Sequence, residues 1–301
     1  MKPTIFTGSG VAIVTPMHED GSINFSALKR LLEVQITSGT NAVIICGTTG
    51  EAPTLSDEEH LEAVGFTVEC VAHRIPVIAG TGSNDTRHAV AMSRRARSLG
   101  ADGLLLVTPY YNKTSQAGLI RHFTAIADAA GLPVILYSVP SRTGVAIAPE
   151  TYAELARHPL IVAAKEASGD LSRVAKTTAL CGDELTLYSG NDDQIVPMMA
   201  LGAKGVISVL ANIAPTVVRD ICAEFLAGHV EESRALQLRY LPLIEALFSD
   251  VSPIPVKAAL DLLGFEAGPC RLPLTRLSPA KQKTLIRVLR DLGFGLQKEA
   301  V

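Results

Sequence analysis

Short apolar runs alternate along most of this chain with stretches in which apolar residues recur at helical spacing. Residues 10–15 form the first run, and residues 24–38 follow with apolar positions on one helical face, ended by Gly39. The same unit then repeats. Its later apolar runs predict strands at residues 42–46, 77–79, 103–107, 132–137, 161–165, 185–189 and 205–209.

Alternation of strands and helices is typical of a parallel sheet, and eight units favour an α/β fold closed into a (β/α)8 TIM barrel. The alternative is an open, doubly wound sheet. Such a sheet usually carries Gly-x-Gly-x-x-Gly after its first strand, whereas Gly8-Ser-Gly10 precedes the first run and lacks the third glycine. One helix start is explicit, since Ser56 and Glu59 form the pattern of a capping box.

The pattern changes after Gly228. Residues 231–248, 255–263 and 279–292 have helical spacing, and no strand is predicted between them. We therefore predict a barrel that carries the active site at residues 1–228 and a carboxyl-terminal helical extension at residues 229–301.

Composition limits the partners of the protein. The chain has 301 residues, of which 48% are hydrophobic, so it is long enough for a barrel with a sizeable core. A net charge of -3 gives no electrostatic attraction for nucleic acid or an anionic membrane, which favours small polar ligands. Residues 1–8 lack the apolar core of a signal peptide, and no later run is long enough to span a bilayer. We expect a cytoplasmic protein.

Several kinds of chemistry are disfavoured. The five cysteines are scattered without a Cys-x-x-Cys pair, and the seven histidines show no His-x-x-x-His spacing. We expect reduced cysteines, no metal and no cofactor. The absence of a Gly-x-Ser-x-Gly elbow and of a phosphate-binding Gly-x-x-x-x-Gly-Lys loop argues against acyl transfer by a triad and against nucleotide hydrolysis.

Lys165 ends the sixth apolar run, where a barrel places its functional side chains. Burial penalises the ammonium form of a lysine, lowers its pKa and leaves more free amine to attack carbonyls. Lys165 is therefore a candidate for Schiff-base formation. The alternative is a lysine that ends its strand and extends into solvent, beside Glu166.

Polar residues follow other predicted strands. Thr48 and Thr49 lie between two glycines, and their hydroxyls with the backbone amides could hold a carboxylate; a plain turn is the alternative. Imine formation requires several proton transfers, for which Tyr137, one strand from Lys165, is well placed. Thr49 and Tyr111 are candidates for the same relay. These tyrosines could instead donate hydrogen bonds to the backbone.

Three further positions are candidates for substrate binding. Arg142 lies between Pro140 and Gly144, where its guanidinium suits a carboxylate, although many arginines in loops are simply solvated. Gly190 ends the seventh strand and Ile207 lies in the eighth, where backbone groups could complete the floor of a pocket.

Six motifs, in this order along nearly the whole chain, resemble those of the dihydrodipicolinate synthase family, within the superfamily of Schiff-base class I aldolases and lyases. They are Gly47-Thr-Thr-Gly-Glu51, Pro109-Tyr-Tyr-Asn112, Tyr137-x-Val-Pro-x-Arg-Thr-Gly144, Lys165-Glu-Ala-Ser-Gly169, Gly205-Val-Ile-Ser208 and Pro253-Ile-Pro-Val-Lys257.

The resemblance implies that Lys165 forms an imine with pyruvate. The resulting enamine attacks L-aspartate 4-semialdehyde, and cyclisation gives 4-hydroxy-tetrahydrodipicolinate, in diaminopimelate and lysine biosynthesis. It also implies a homotetramer of paired dimers in which Tyr111 reaches across a subunit contact. The implied relay is Tyr137, Thr49 and Tyr111, and the implied substrate contacts are Thr48, Thr49, Ile207 and Arg142.

Two alternatives to this function remain open. One is a pyruvate-dependent aldolase acting on a sugar acid or hydroxy-oxo acid, similar to N-acetylneuraminate lyase; Arg142 and Tyr111 together favour the synthase. The other is a homologue that binds ligands without catalysis.

The resemblance also implies a feedback site for lysine. Family members inhibited by lysine carry a histidine and a glutamate where this chain has Asp57 and His88, whereas Asn84, His60 and Tyr110 match. Because the carboxylate at position 88 is missing, we expect weak or absent inhibition by lysine.

Overall fold

A computed structural model describes residue 2 and residues 4–297. Eight parallel strands form a closed barrel in chain order, each pairing with the next and β8 pairing with β1. The strands are β1 (Gly8–Ala12), β2 (Ala42–Ile45), β3 (Val77–Gly80), β4 (Gly103–Val107), β5 (Val134–Ser138), β6 (Ile161–Glu166), β7 (Thr186–Ser189) and β8 (Gly205–Ser208). The predicted (β/α)8 barrel is confirmed, and the open doubly wound sheet is wrong.

Helices surround the barrel. They are α1 (Phe25–Thr37), α2 (Asp57–Val71), α3 (Thr86–Ser98), α4 (Gln116–Ala130), α5 (Pro140–Thr143), α6 (Pro149–Leu155), α7 (Leu171–Cys181), α8 (Ile195–Ala200) and α9 (Pro215–Leu226), followed by α10 (Val230–Leu247), α11 (Ile254–Leu262) and α12 (Pro279–Asp291). The capping box of α2 is present: the Glu59 amide donates to Ser56 Oγ, and the Ser56 amide donates to the Glu59 carboxylate.

The first strand differs most from its prediction at residues 10–15. It begins at Gly8 and ends at Ala12. The Ile13 amide still donates to the Ile44 carbonyl at 3.1 Å, but beyond it side chains hold the chain, since the Val14 amide donates to Asn212 Oδ1 at 3.1 Å and Thr15 Oγ1 donates to the Gly50 carbonyl at 2.7 Å. The sequence stays hydrophobic beyond the last paired residue of β1, so the predicted strand extends too far at its carboxyl end.

The barrel interior is apolar at one end and polar at the other. Phe6, which precedes β1 at the amino end of the barrel, stacks on the ring of Tyr188 with centroids 4.2 Å apart and planes 5° apart. Tyr137 and Ile207 belong to the same interior cluster. The register of β5 and β6 places Tyr137 opposite Lys165. Because parallel strands end at one face, these polar side chains meet there.

Helix α10 packs against α9, and α10, α11 and α12 pack against one another, with no further strand among residues 229–297. The division at residue 228 stays a prediction, and its ranges include Met1, Pro3 and residues 298–301, which lie outside the described residues. No helix in the described part of the chain is both long and apolar enough to cross a membrane.

Candidate active site

A cavity of about 450 Å³ opens at the carboxyl ends of the strands. Thr48, Tyr137 and Arg142 line it, together with Tyr110 and His60. Three of the predicted site residues therefore share one cavity. Side chains fill the barrel interior below the cavity, so a substrate reaches these groups from the carboxyl ends of the strands.

Lys165 is buried, with 5% of its surface exposed. Its Nζ lies 4.3 Å from the centre of the Tyr137 ring. Burial lowers the pKa of Lys165 to about 8, and the charge of Arg142 acts in the same direction. The alternative of a solvated lysine beside Glu166 is wrong. The Glu166 carboxylate instead accepts hydrogen bonds from the Tyr152 hydroxyl and the Ser168 amide, both at 2.8 Å.

Tyr137 is buried beside Lys165, and this burial raises the pKa of its phenol. The positive charge of Arg142 and the hydroxyl of Thr48 partly oppose that rise. The phenol is thus protonated at neutral pH and available as a proton donor.

The two adjacent threonines of the turn after β2 have different surroundings. Thr48 lines the cavity together with Tyr137, and its hydroxyl lowers the pKa of the Tyr137 phenol. Thr49 is 4% exposed and lies outside the set of residues that line this cavity. A relay through Thr49 stays a prediction, while Thr48, predicted to bind substrate, is the threonine that shares the cavity with the phenol.

Tyr111 is not brought to the cavity of its own chain. It is 93% exposed, and its φ of 70° lies in the left-handed region, which is uncommon for a tyrosine. The neighbouring Tyr110 lines the cavity instead. The predicted part of Tyr111 in the relay, across a subunit contact, stays a prediction.

Arg142 lies in the short helix α5 at the mouth of the cavity. Its Nη2 donates a long hydrogen bond of 3.4 Å to the Ser252 carbonyl, and much of the side chain is exposed. The guanidinium acts electrostatically on both Tyr137 and Lys165. This placement leaves donors free for a substrate carboxylate.

Gly190 and Ile207 lie at the ends of β7 and β8. The Gly190 amide donates to the Glu166 carbonyl at 2.8 Å, and an added Cβ would lie 2.6 Å from the Ala167 Cβ, so only glycine fits. Ile207 is 1% exposed and pairs with Gly10. Their predicted part in substrate binding stays a prediction.

Asp192 was missed in the sequence. It is 2% exposed, and its Oδ2 accepts hydrogen bonds from the amides of Val209 and Leu210 at 3.0 and 2.9 Å. Its Oδ1 has no hydrogen-bond partner among the described residues. The charge of Asp192 raises the pKa of Lys165 against the effect of burial. Its position just beyond Gly190, at the end of a strand, was the signal that could have identified it.

The lowered pKa of Lys165 predicts the pH dependence of imine formation. The rate of borohydride trapping with pyruvate should rise through a midpoint near pH 8, because the neutral amine is the attacking form. A lysine of ordinary pKa would instead give a midpoint at about pH 10.4. Trapping rates measured by intact mass over a pH series test this, and a midpoint above about 10 would contradict it.

A closed barrel with a buried, weakly basic lysine, a tyrosine and an arginine at the carboxyl ends of its strands defines the class of this protein. It is a barrel enzyme whose site is suited to a carbonyl substrate.

The comparisons with known proteins give the family. Residues 5–292 match the model of the Dihydrodipicolinate synthetase family. The chain is 54% identical over 294 residues to the 4-hydroxy-tetrahydrodipicolinate synthase of Acetivibrio thermocellus, covering 98% of this chain and 100% of that protein. The chain belongs to the dihydrodipicolinate synthetase family.

Solved structures agree with this assignment. The dihydrodipicolinate synthase of Aquifex aeolicus has a TM-score of 0.95 and 42% identity, and the match covers 97% of this chain and 100% of that one. The chloride-inhibited dihydrodipicolinate synthase of Acinetobacter baumannii, complexed with pyruvate, has a TM-score of 0.95 and 44% identity with the same coverage.

Proposed function

We propose that this chain condenses pyruvate with L-aspartate 4-semialdehyde through a Schiff base on Lys165. The activity named for its relatives, 4-hydroxy-tetrahydrodipicolinate synthesis, is its activity, which makes it a lyase of lysine and diaminopimelate biosynthesis. The observation that carries the mechanism is the buried Lys165 amine 4.3 Å from the Tyr137 ring. The pyruvate bound to the Acinetobacter baumannii relative supports pyruvate as the first substrate.

The chemistry follows from these groups. The Lys165 amine attacks the keto carbon of pyruvate, and protonation through Tyr137 lets the carbinolamine oxygen leave as water. The iminium then loses a proton from the methyl group and becomes an enamine. Its carbon forms a bond to the aldehyde carbon of the second substrate. The amino group of that substrate finally displaces Lys165 as the ring closes, which restores the free amine.

The second substrate carries a carboxylate at the mouth of the cavity, where Arg142 has free donors. Thr48 and Thr49, with the main chain at Gly190 and Ile207, hold the pyruvate carboxylate. Tyr111 completes the relay from a partner subunit in a homotetramer of paired dimers, located in the cytoplasm. The 93% exposure of Tyr111 in the single chain supports this arrangement.

Two assays on the same preparation test the function. Consumption of pyruvate and aspartate semialdehyde should be fast, whereas cleavage of N-acetylneuraminate and of keto-sugar acids should be slow or undetectable. Arg142→Ala should raise the KM for the semialdehyde more than the KM for pyruvate, and Arg157→Ala, in an exposed ion pair with Glu154, is its control. Efficient cleavage of a sugar acid without condensation would overturn the proposal.

Lysine should inhibit this enzyme weakly or not at all. His60, Asp57 and His88 line one part of the cavity, and the Asp57 carboxylate is already paired with His88 Nε2 at 2.9 Å. No carboxylate stands at position 88 to receive the amino group of lysine. An inhibition constant at or below the low millimolar range in a coupled assay would contradict this. The double variant Asp57→His with His88→Glu should gain inhibition.

A further inference from the structure

The turn that carries Thr48 is joined to the carboxyl-terminal extension by a buried ion pair. Lys257 Nζ of α11 lies 2.8 Å from Glu51 Oε1, and the two side chains are 2% and 0% exposed. The residues are 206 positions apart in the chain. The mechanism assigns no role to either residue.

Both side chains of this ion pair make further hydrogen bonds. Lys257 Nζ also donates to the carbonyls of Pro269 at 2.6 Å and Thr15 at 3.2 Å. Glu51 Oε2 accepts from the Arg271 amide at 2.9 Å. A buried pair is often no more stable than apolar side chains of similar volume, but its hydrogen bonds are directional. Such a pair specifies geometry more than it adds stability.

The backbone of Glu51 connects the ion pair to Thr48. The Glu51 amide donates to the Thr48 carbonyl at 3.1 Å, and the residue has a φ of 56°, in the left-handed region. This conformation is strained for a glutamate, and it persists only where the surrounding contacts hold it in place. On the preceding residue, the Gly50 carbonyl accepts from Thr15 Oγ1 at 2.7 Å. The turn is therefore held from the extension and from the segment after β1.

We propose that Lys257 and Glu51 are positioning residues for catalysis, through which the carboxyl-terminal extension holds the turn at residues 47–51 so that Thr48 faces the cavity beside Tyr137. This inference rests on the proposed function, because it assigns Thr48 a part in proton transfer with Tyr137. Neither residue touches the substrate. The extension then serves the active site from behind the turn without lining the cavity.

The double variant Glu51→Met with Lys257→Met separates positioning from stability. It removes both charges together, so it should lower the melting temperature less than Lys257→Met alone, which leaves the Glu51 carboxylate buried without its charge partner. Pyruvate should still be trapped on Lys165 in the double variant. Its kcat should fall about 10- to 100-fold, with a smaller change in the KM for pyruvate.

The pH dependence of kcat distinguishes positioning of Thr48 from a purely structural role, which would leave that dependence unchanged. The Thr48 hydroxyl holds down the pKa of Tyr137, so displacing Thr48 raises that pKa. The basic limb of the kcat profile should therefore move to higher pH in the double variant. The control is Glu19→Gln with Arg276→Gln, an exposed ion pair of 2.7 Å that joins the extension to the segment after β1 and does not contact the turn. It should keep the wild-type kcat and profile.

A folded double variant with wild-type kcat and pH profile would overturn the inference. If that variant does not fold, Glu51→Gln, which keeps the shape of the side chain, should lower kcat with the KM for pyruvate unchanged, and an unchanged kcat would again overturn it. Failure of the proposed function itself is distinguishable, because the wild-type protein would then lack condensation activity.

Discussion

Replacing Lys165 by alanine should abolish both the trapped pyruvate adduct and the condensation activity, with a fall in kcat on the order of 10⁴-fold or more. No other group described at the carboxyl ends of the strands offers a buried amine of lowered pKa. Borohydride reduction with pyruvate, followed by peptide mass analysis, measures the adduct directly. Lys165→Met, whose side chain fills more of the space of the lysine than alanine does, should also lose the adduct and the activity.

The control for this prediction is Lys204→Ala, at an exposed lysine that precedes β8. It should keep both the adduct and the activity. Because Lys165 is desolvated in the wild type, its replacement by an apolar residue should leave the protein folded, which circular dichroism can verify. A stoichiometric adduct on another lysine in the Lys165→Ala protein would contradict the assignment.

Replacing Tyr137 by phenylalanine should lower kcat by about 10²- to 10⁴-fold. The ring remains beside the Lys165 amine and only the hydroxyl is lost, so the KM for pyruvate should change much less than kcat. Steady-state kinetics with both substrates separate the two effects.

Tyr188→Phe is the matched control, since it removes a hydroxyl from another tyrosine inside the same barrel. That hydroxyl donates to the Phe6 carbonyl, at the end away from the cavity. We expect a loss of about 1–3 kcal/mol in the free energy of unfolding, because a buried carbonyl loses its partner, with kcat near that of the wild type. A wild-type kcat in Tyr137→Phe would remove that phenol from the proton relay.

The hydrophobic pattern predicted the barrel, because each strand is buried on both faces and therefore appears in the sequence as a short apolar run. The strand predicted at residues 103–107 matches β4 at both ends. Boundaries failed where side chains take over from strand pairing, as they do beyond Ala12. Lys165, Tyr137 and Arg142 were predicted as site residues because functional residues of a barrel follow its strands, and that rule needs only local sequence.

The remaining site features depend on geometry that local sequence does not carry. Which of two adjacent threonines lines the cavity beside the phenol is decided by the turn after β2, where Glu51 adopts a left-handed conformation. The pairing of Glu51 with Lys257 joins residues far apart in the chain. Tyr111 is exposed in the single chain, and its part in the relay across a subunit contact stays a prediction.

The stacked rings of Phe6 and Tyr188 have a kinetic consequence. They fill the interior of the barrel below the cavity, so we expect both substrates and the product to enter and leave at the carboxyl ends of the strands. Product held at that opening would exclude the next pair of substrates, so we expect product release to contribute to the turnover rate.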